Sequence, residues 1–246
     1  MIFYFSATGN SLHAAKMIAE ATNDRIISIA DCLKNNRFDF SAKNGESVGF
    51  ATPVYNFGLP ITVTDFLSHL NLKINNNYVF TLVTYGGLSG GASKIIRNML
   101  KNKGIKTDAQ YSIRMPDTWT PIYDLSDNEK VGETNRKADI KINRISKQIL
   151  KKTKGNFDFK RIPFGDRFIG GYEEMRKTNT LSVSKNCIGC GLCAKECPVN
   201  AIEIQNSKPA WIKEKCAMCL GCLHRCPEFA IQRGEKTKTH GQYIHK

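Results

Sequence analysis

The sequence predicts an α/β protein: a doubly wound, parallel five-stranded sheet over residues 1–154, then a smaller α+β domain over 181–234. Three observations predict it. From residue 1 to 154, short apolar runs alternate with stretches of helical periodicity, the pattern of strands covered on both faces by crossover helices. A cysteine-rich segment near the C-terminus then repeats once, at an offset of 29 residues from Cys187 to Cys216. Between the two, residues 155–180 carry Pro163, Gly165, Gly170 and Gly171 without strong periodicity, which marks a linker.

Taken in order, Met1–Ser6 is an apolar strand ending in a loop, and Ser11–Thr22 places Leu12, Ala15, Met17, Ile18 and Ala19 at helical spacing. Arg25–Ile29 and Val48–Thr52 are the second and third strands, and Thr62–Leu70 is a helix. Tyr78–Tyr85 holds Val79, Phe80, Leu82 and Val83 and reads as a strand buried on both faces. A glycine-rich turn and a helix from Ala92 to Lys103 follow it. Ala109–Arg114 is the fifth strand, and Asp127–Lys154 is a basic helix with Ile140, Ile142, Ile145 and Ile149 toward the core. Phe157, Phe159, Phe164 and Phe168 make the 155–180 linker too apolar for a free tether, so it is expected to be packed down. Residues 235–246 form a polar tail whose His240 and His245 are expected in solvent rather than on a metal.

Composition bounds the function. A chain with 41% hydrophobic and 24% charged residues is of the soluble globular kind. No apolar run approaches the ~20 residues of a membrane helix. The opening MIFYFSATGN has neither a basic start nor a cleavage site, so a cytoplasmic protein is expected. The formal charge of +14 is uneven, with +8 over residues 1–154 (21 Lys and Arg against 13 Asp and Glu) and +3 over 181–234 (7 against 4). No basic run interleaved with aromatics accompanies it, which argues against nucleic acid and for an acidic redox partner protein or a bound phosphate.

Eight of the nine cysteines lie in the repeat, and Cys32 reads as a structural thiol. Each copy is C-x2-C-x2-C-x3-C-P: Cys187, Cys190, Cys193, Cys197 and Pro198, then Cys216, Cys219, Cys222, Cys226 and Pro227. Ala201-Ile202 recurs as Ala230-Ile231, so a structural unit is repeated. Three thiolates two residues apart can wrap one cubane, with Gly189, Gly191 and Gly221 letting the backbone pass close to the sulfurs. Structural zinc sites usually use two C-x2-C pairs instead, and without a secretory signal disulfides are the weaker reading. The run is the bacterial ferredoxin signature, in which the fourth cysteine serves the other cluster. One [4Fe–4S] cluster would take Cys187, Cys190, Cys193 and Cys226, and the other Cys216, Cys219, Cys222 and Cys197. An oxidised cubane with four thiolates carries net −2, so two clusters bring this segment near −1 and leave the basic excess to the first domain.

The first strand ends in Ser6-Ala7-Thr8-Gly9-Asn10-Ser11, hydroxyls and a glycine just before a helix. Backbone N–H groups and the helix dipole there suit an anion, and the hydroxyls add donors without charge. An ordinary serine-rich cap is the bland alternative. There is no lysine as in a P-loop and no G-x-G-x-x-G.

This loop resembles the flavodoxin phosphate loop, [ST]-x-T-G-[NK]-[ST], and occupies its place after the first strand. With the cysteine repeat, the chain resembles flavodoxin–ferredoxin fusion proteins. The resemblance implies FMN at the C-terminal ends of the strands, its phosphate held by Ser6, Thr8, Gly9, Asn10 and Ser11. It implies that Pro53, Val54, Tyr55, Asn56, Phe57 and Gly58 cover one face of the ring. Thr84, Tyr85, Gly86 and Gly87 would then lie along its polar edge, with Tyr55, Phe57 and Tyr85 as stacking rings. The chain departs from acidic flavodoxins in its basic charge. Trp119 is placed either over the flavin or between the domains. The expected function is electron transfer between two [4Fe–4S] clusters and FMN. A flavin-dependent reductase fed by the clusters is the first alternative, and a first domain serving only as an interaction module is the second. No acid, base or nucleophile stands out for catalysis.

Overall fold

The computed structural model describes residues 1–158 and 170–245. Its first domain runs β1 (Ile2–Tyr4), α1 (Asn10–Thr22), β2 (Ile26–Ser28), α2 (Ile29–Lys34), β3 (Asp39–Ser41), β4 (Val48–Pro53), α3 (Ile61–His69), β5 (Asn71–Lys73), β6 (Val79–Tyr85), α4 (Ala92–Asn102), β7 (Ala109–Arg114), α5 (Asn128–Leu150) and β8 (Gly155–Phe157). The main sheet has the order β2-β1-β4-β6-β7-β8, all neighbours parallel. The strand order reverses between β1 and β4, as in doubly wound sheets that bind ligands at that crevice.

Side chains alternate between the two faces at the strand period. Phe3, Phe50, Val79 and Val83 pack with α2, α3 and α4, where Cys32 is buried with them. Ile2, Ala51, Phe80 and Leu82 pack with α1 and α5 on the other face. At Gly49 a Cβ would lie 2.3 Å from the Phe80 ring, so only glycine lets that ring cross the β4–β6 pair.

Three expectations change. The sheet has six strands rather than five, because Gly155–Phe157 adds to the edge of β7. Phe157 stacks on Tyr111 at 5.2 Å, and Asp158 then accepts from Ser89 Oγ and Ser93 Oγ at 2.6 and 2.8 Å. Of the four isoleucines assigned to the core side of α5, Ile142, Ile145 and Ile149 are buried, but Ile140 is 65% exposed. Ala138 takes the place, since 138, 142, 145 and 149 keep the helical phase and 140 falls on the opposite face. Thirdly, the tail is packed down, as described below. Phe159, Pro163, Gly165, Phe164 and Phe168 lie outside the described residues.

The second domain comprises α6 (Gly170–Met175), β9 (Ser182–Val183), α7 (Leu192–Lys195), β10 (Ile202–Gln205), β11 (Lys208–Trp211), α8 (Gly221–His224) and β12 (Ile231–Gln232). β10 and β11 form an antiparallel hairpin, and β12 pairs antiparallel with β9. Among the described residues no helix is long and apolar enough to cross a membrane.

Candidate functional site

The eight repeat cysteines line two separate cavities. One, of about 320 Å³, is lined by Cys197, Cys216, Cys219 and Cys222 together with Ser6, Ala7 and Leu12 of the first domain. A smaller one is lined by Cys187, Cys190, Cys193 and Cys226, with Ile188, Ile204 and Pro209 around it. Each cavity therefore gathers three cysteines of one run and the fourth of the other.

The repeat of Ala201 and Ala230 has a physical reason. Ala201 N–H donates to Cys197 Sγ at 3.2 Å, and Ala230 N–H donates to Cys226 Sγ at 3.3 Å. Met218 N–H donates to Cys216 Sγ at 3.2 Å as well. Such donors favour a thiolate, which is the form that binds iron. Burial pushes the Cys219 thiol up to about 12 and raises Cys222 well above the usual range. Burial thus opposes free thiolates at Cys219 and Cys222, and a cationic core would offset that cost.

The glycines of the first run take left-handed backbone, Gly189 at φ +70° and Gly191 at φ +76°. At Gly189 a Cβ would meet Ser207 O at 2.6 Å. The matching positions of the second run are Met218 and Leu220, at φ 46° and 53°, a conformation that costs a side-chain-bearing residue on the order of 1–2 kcal/mol. Both side chains are buried in a cluster that Trp119 packs against, so Trp119 lies between the domains. Gly221 lies against a sulfur as expected, and against the first domain as well: its Cβ position is 3.6 Å from Cys219 Sγ and 3.6 Å from Ala7.

At the switch point the loop Ser6–Ser11 is shaped for an anion. Gly9 is left-handed at φ +96°, and its N–H donates to Ser6 Oγ at 3.1 Å. Helix α1 begins at Asn10 with no side-chain cap and no acidic residue in its first turn, so its leading N–H groups face no competing negative side chain. The tail packs on this loop, since a Cβ on Gly9 would lie 2.8 Å from His245 Cβ. Two of the expected donors are engaged elsewhere: Asn10 Nδ2 donates to Pro116 O at 3.0 Å, and Ser11 Oγ lies 2.7 Å from Thr84 Oγ1. The loop's remaining donors are backbone N–H groups and the hydroxyls of Ser6 and Thr8.

The loops after β4 and β6 meet each other. Gly91 N–H donates to Phe57 O at 2.7 Å, and a Cβ on Gly90 would lie 2.2 Å from that oxygen. Tyr55 N–H and Gly58 N–H each donate to the other's carbonyl, at 3.0 and 2.9 Å, closing the Tyr55–Gly58 turn. The Tyr55 ring is 6.3 Å from Phe5 and 6.2 Å from Tyr172, and burial first, then Cys219, raises its hydroxyl. Tyr85 is buried, and among the described residues Gly87 has only the Tyr123 hydroxyl within reach of a Cβ. The carboxyl of Asp117 sits on Gly86, where a Cβ would be 2.1 Å away, and burial raises its pKa.

Four contributors were not legible in the sequence. Arg225 donates from Nε and Nη2 to Ala7 O at 3.1 and 2.8 Å. His224 bridges Thr118 O at 2.9 Å and Tyr243 N–H at 3.2 Å, and burial lowers its pKa to about 4. Tyr172 Oη donates to Ala217 O at 2.7 Å. The tail, expected in solvent, returns to the phosphate loop: Tyr243 Oη donates to Asn10 Oδ1 and His245 N–H to Thr8 O, both at 2.8 Å. Nδ1 of His240 lies 2.7 Å from Thr120 O. Only Tyr243 and Ile244, in an otherwise polar tail, could have signalled this.

Comparison with known proteins places both halves. A 4Fe-4S dicluster domain matches residues 180–227. Curated relatives include a component of an ion-translocating oxidoreductase complex of Methanosarcina acetivorans, 44% identical over 46 residues, which are 19% of this chain and 17% of that protein. "Ferredoxin" of Pyrobaculum islandicum is 39% identical over 65 residues, 26% of this chain and 61% of that protein. The chain thus spans less than two thirds of the length of either. Similar solved structures include a Streptococcus pneumonia TIGR4 flavodoxin (17% identity, TM-score 0.35, 57% of this chain and 97% of that one). An azoreductase from Bacillus anthracis str. Sterne is another (14%, TM-score 0.37, 61% and 98%). The flavodoxin domain model matches residues 1–141, more than half of the sequence. The chain belongs to the flavodoxin domain family and continues into a 4Fe-4S dicluster domain, an electron-transfer pairing of flavin and iron–sulfur modules.

Proposed function

We propose that this chain passes electrons between FMN on the first domain and two [4Fe–4S] clusters on the second, in a fixed spatial order. The observation that carries the reading is the cavity shared by Cys197, Cys216, Cys219 and Cys222 with Ser6 and Ala7. The cluster held there is the inner one, between the flavin loop and the other cluster. The outer cluster is held by Cys187, Cys190, Cys193 and Cys226, beside exposed Cys190 and Ile188. When bound, FMN supplies one- and two-electron chemistry that single-electron cubanes lack.

The chain's own residues bind, orient and exclude water. Ser6, Thr8, Gly9, Asn10 and Ser11 hold the phosphate, Asn10 through its backbone. Thr52 Oγ1, just ahead of the Pro53–Gly58 loop, is fully buried without a hydrogen-bond partner among the described residues, which supports a bound polar group at this edge. Met218, Leu220 and Trp119 dry the contact between the domains. The basic first domain favours an acidic redox partner.

An anaerobic visible spectrum with acid-released flavin, iron and sulfide tests the composition. One equivalent of FMN and iron for two cubanes are expected. Thr8→Val, which removes a hydroxyl donor and keeps the shape, should strip flavin and leave cluster absorbance intact. Release of FAD, or full FMN affinity in Thr8→Val, contradicts the reading.

A further inference from the structure

A separate group of metal-ligating side chains stands where the C-terminal tail crosses the first domain. His13 is in the second turn of α1, Asp139 is on α5, and His245 is near the end of the tail. His13 Nε2 lies 2.7 Å from Asp139 Oδ1. The rings of His13 and His245 stack at 3.9 Å with planes 22° apart. One ligand atom from each of the three residues lies within 4.8 Å of the other two. The tail is placed independently by Tyr243 Oη, which donates to Asn10 Oδ1 at 2.8 Å and to Asn135 Oδ1 at 3.1 Å, and by His245 N–H on Thr8 O.

We propose that His13, Asp139 and His245 bind a divalent transition-metal ion of the zinc type and pin the tail to the first domain. Two imidazoles and one carboxylate select zinc, cobalt or nickel over magnesium or calcium, which take oxygen ligands. Three protein ligands leave the fourth tetrahedral position to water. Bonds of about 2.0–2.1 Å set tetrahedral ligands roughly 3.3 Å apart. The His13–Asp139 pair must therefore open slightly, and no separation in the triad has to close by more than about 1.5 Å. Asp139 is 42% exposed, which gives its carboxylate room to move. The site shares no residue with the eight repeat cysteines.

Zinc chloride titrated anaerobically into the full chain with its clusters loaded, followed by calorimetry and by X-ray absorption at the zinc edge, tests the site. One equivalent with nitrogen and oxygen neighbours near 2.0–2.1 Å is expected, not sulfur near 2.3 Å. His245→Ala, a change that leaves both cores intact, should weaken binding at least about tenfold, and His13→Ala should do the same. His69→Ala, in the unrelated exposed His69–Asp65 pair of α3, should leave affinity unchanged. No zinc uptake, sulfur neighbours at the ion, or unchanged affinity in His245→Ala would each overturn the proposal.

Discussion

The guanidinium of Arg225 grips the carbonyl of Ala7 with two hydrogen bonds, Nε at 3.1 Å and Nη2 at 2.8 Å. This ties the helix that follows Cys219 to the loop shaped for a phosphate. A charged donor on a neutral acceptor contributes roughly 1.5–3 kcal/mol when buried, and less at this partly exposed position. Arg225→Ala should lower the midpoint of denaturation read at the flavin and slow electron exchange between the domains. Arg225→Lys, with charge but no fork, should fall between. Equal stability and equal exchange in all three proteins would show that the contact is incidental.

The two cysteine cavities predict crossed effects. Cys197→Ala should damage the cluster held by Cys216, Cys219 and Cys222, and Cys226→Ala the one held by Cys187, Cys190 and Cys193. Paramagnetic resonance of each reduced variant distinguishes the two centres by their coupling and environment. Loss of the same-run cluster in both variants runs against this assignment.

Much of the fold was legible because strands buried on both faces read as apolar runs, as Val79–Val83 does. β8 was not, since Gly155–Phe157 is three residues long and its support comes from Tyr111 and Ser89, far away in sequence. Ile140 was misplaced because chemistry alone does not give helical phase; Ala138, small and unremarked, holds the buried position. The cysteine spacing anticipates the two groups of four that line separate cavities. The tail was not: its composition is polar, but its contacts with Thr8 and Asn10 span more than 230 residues of sequence. The left-handed Met218 and Leu220 were hidden for a related reason, since their strain is offset by packing against Trp119.

Ile188 stands 65% exposed at the rim of the outer cavity, beside exposed Cys190. If a redox partner meets the chain there, Ile188→Asp should slow bimolecular reduction of the clusters by removing apolar contact and adding a charge that docking must desolvate. The wild-type rate should also fall as salt rises toward ~0.5 M, where the Debye length is only about 4 Å. Stopped-flow rates at several salt concentrations check both. A salt-independent rate, unchanged by Ile188→Asp, would move the docking surface elsewhere and remove the charge argument.

The central claim is that electrons move between clusters and flavin inside one chain, and stopped-flow absorbance tests it most directly. An enzymatic donor that reduces the clusters should be followed by flavin reduction at a rate independent of protein concentration, because the inner cavity and the phosphate loop share a wall. Cys222→Ser, which weakens the inner cluster while retaining an oxygen ligand, should slow that phase with the domain still folded, a check made necessary by the coupling of metal binding to folding. A flavin phase that rises in proportion to protein concentration, or that is equally fast without the inner cluster, would contradict the account.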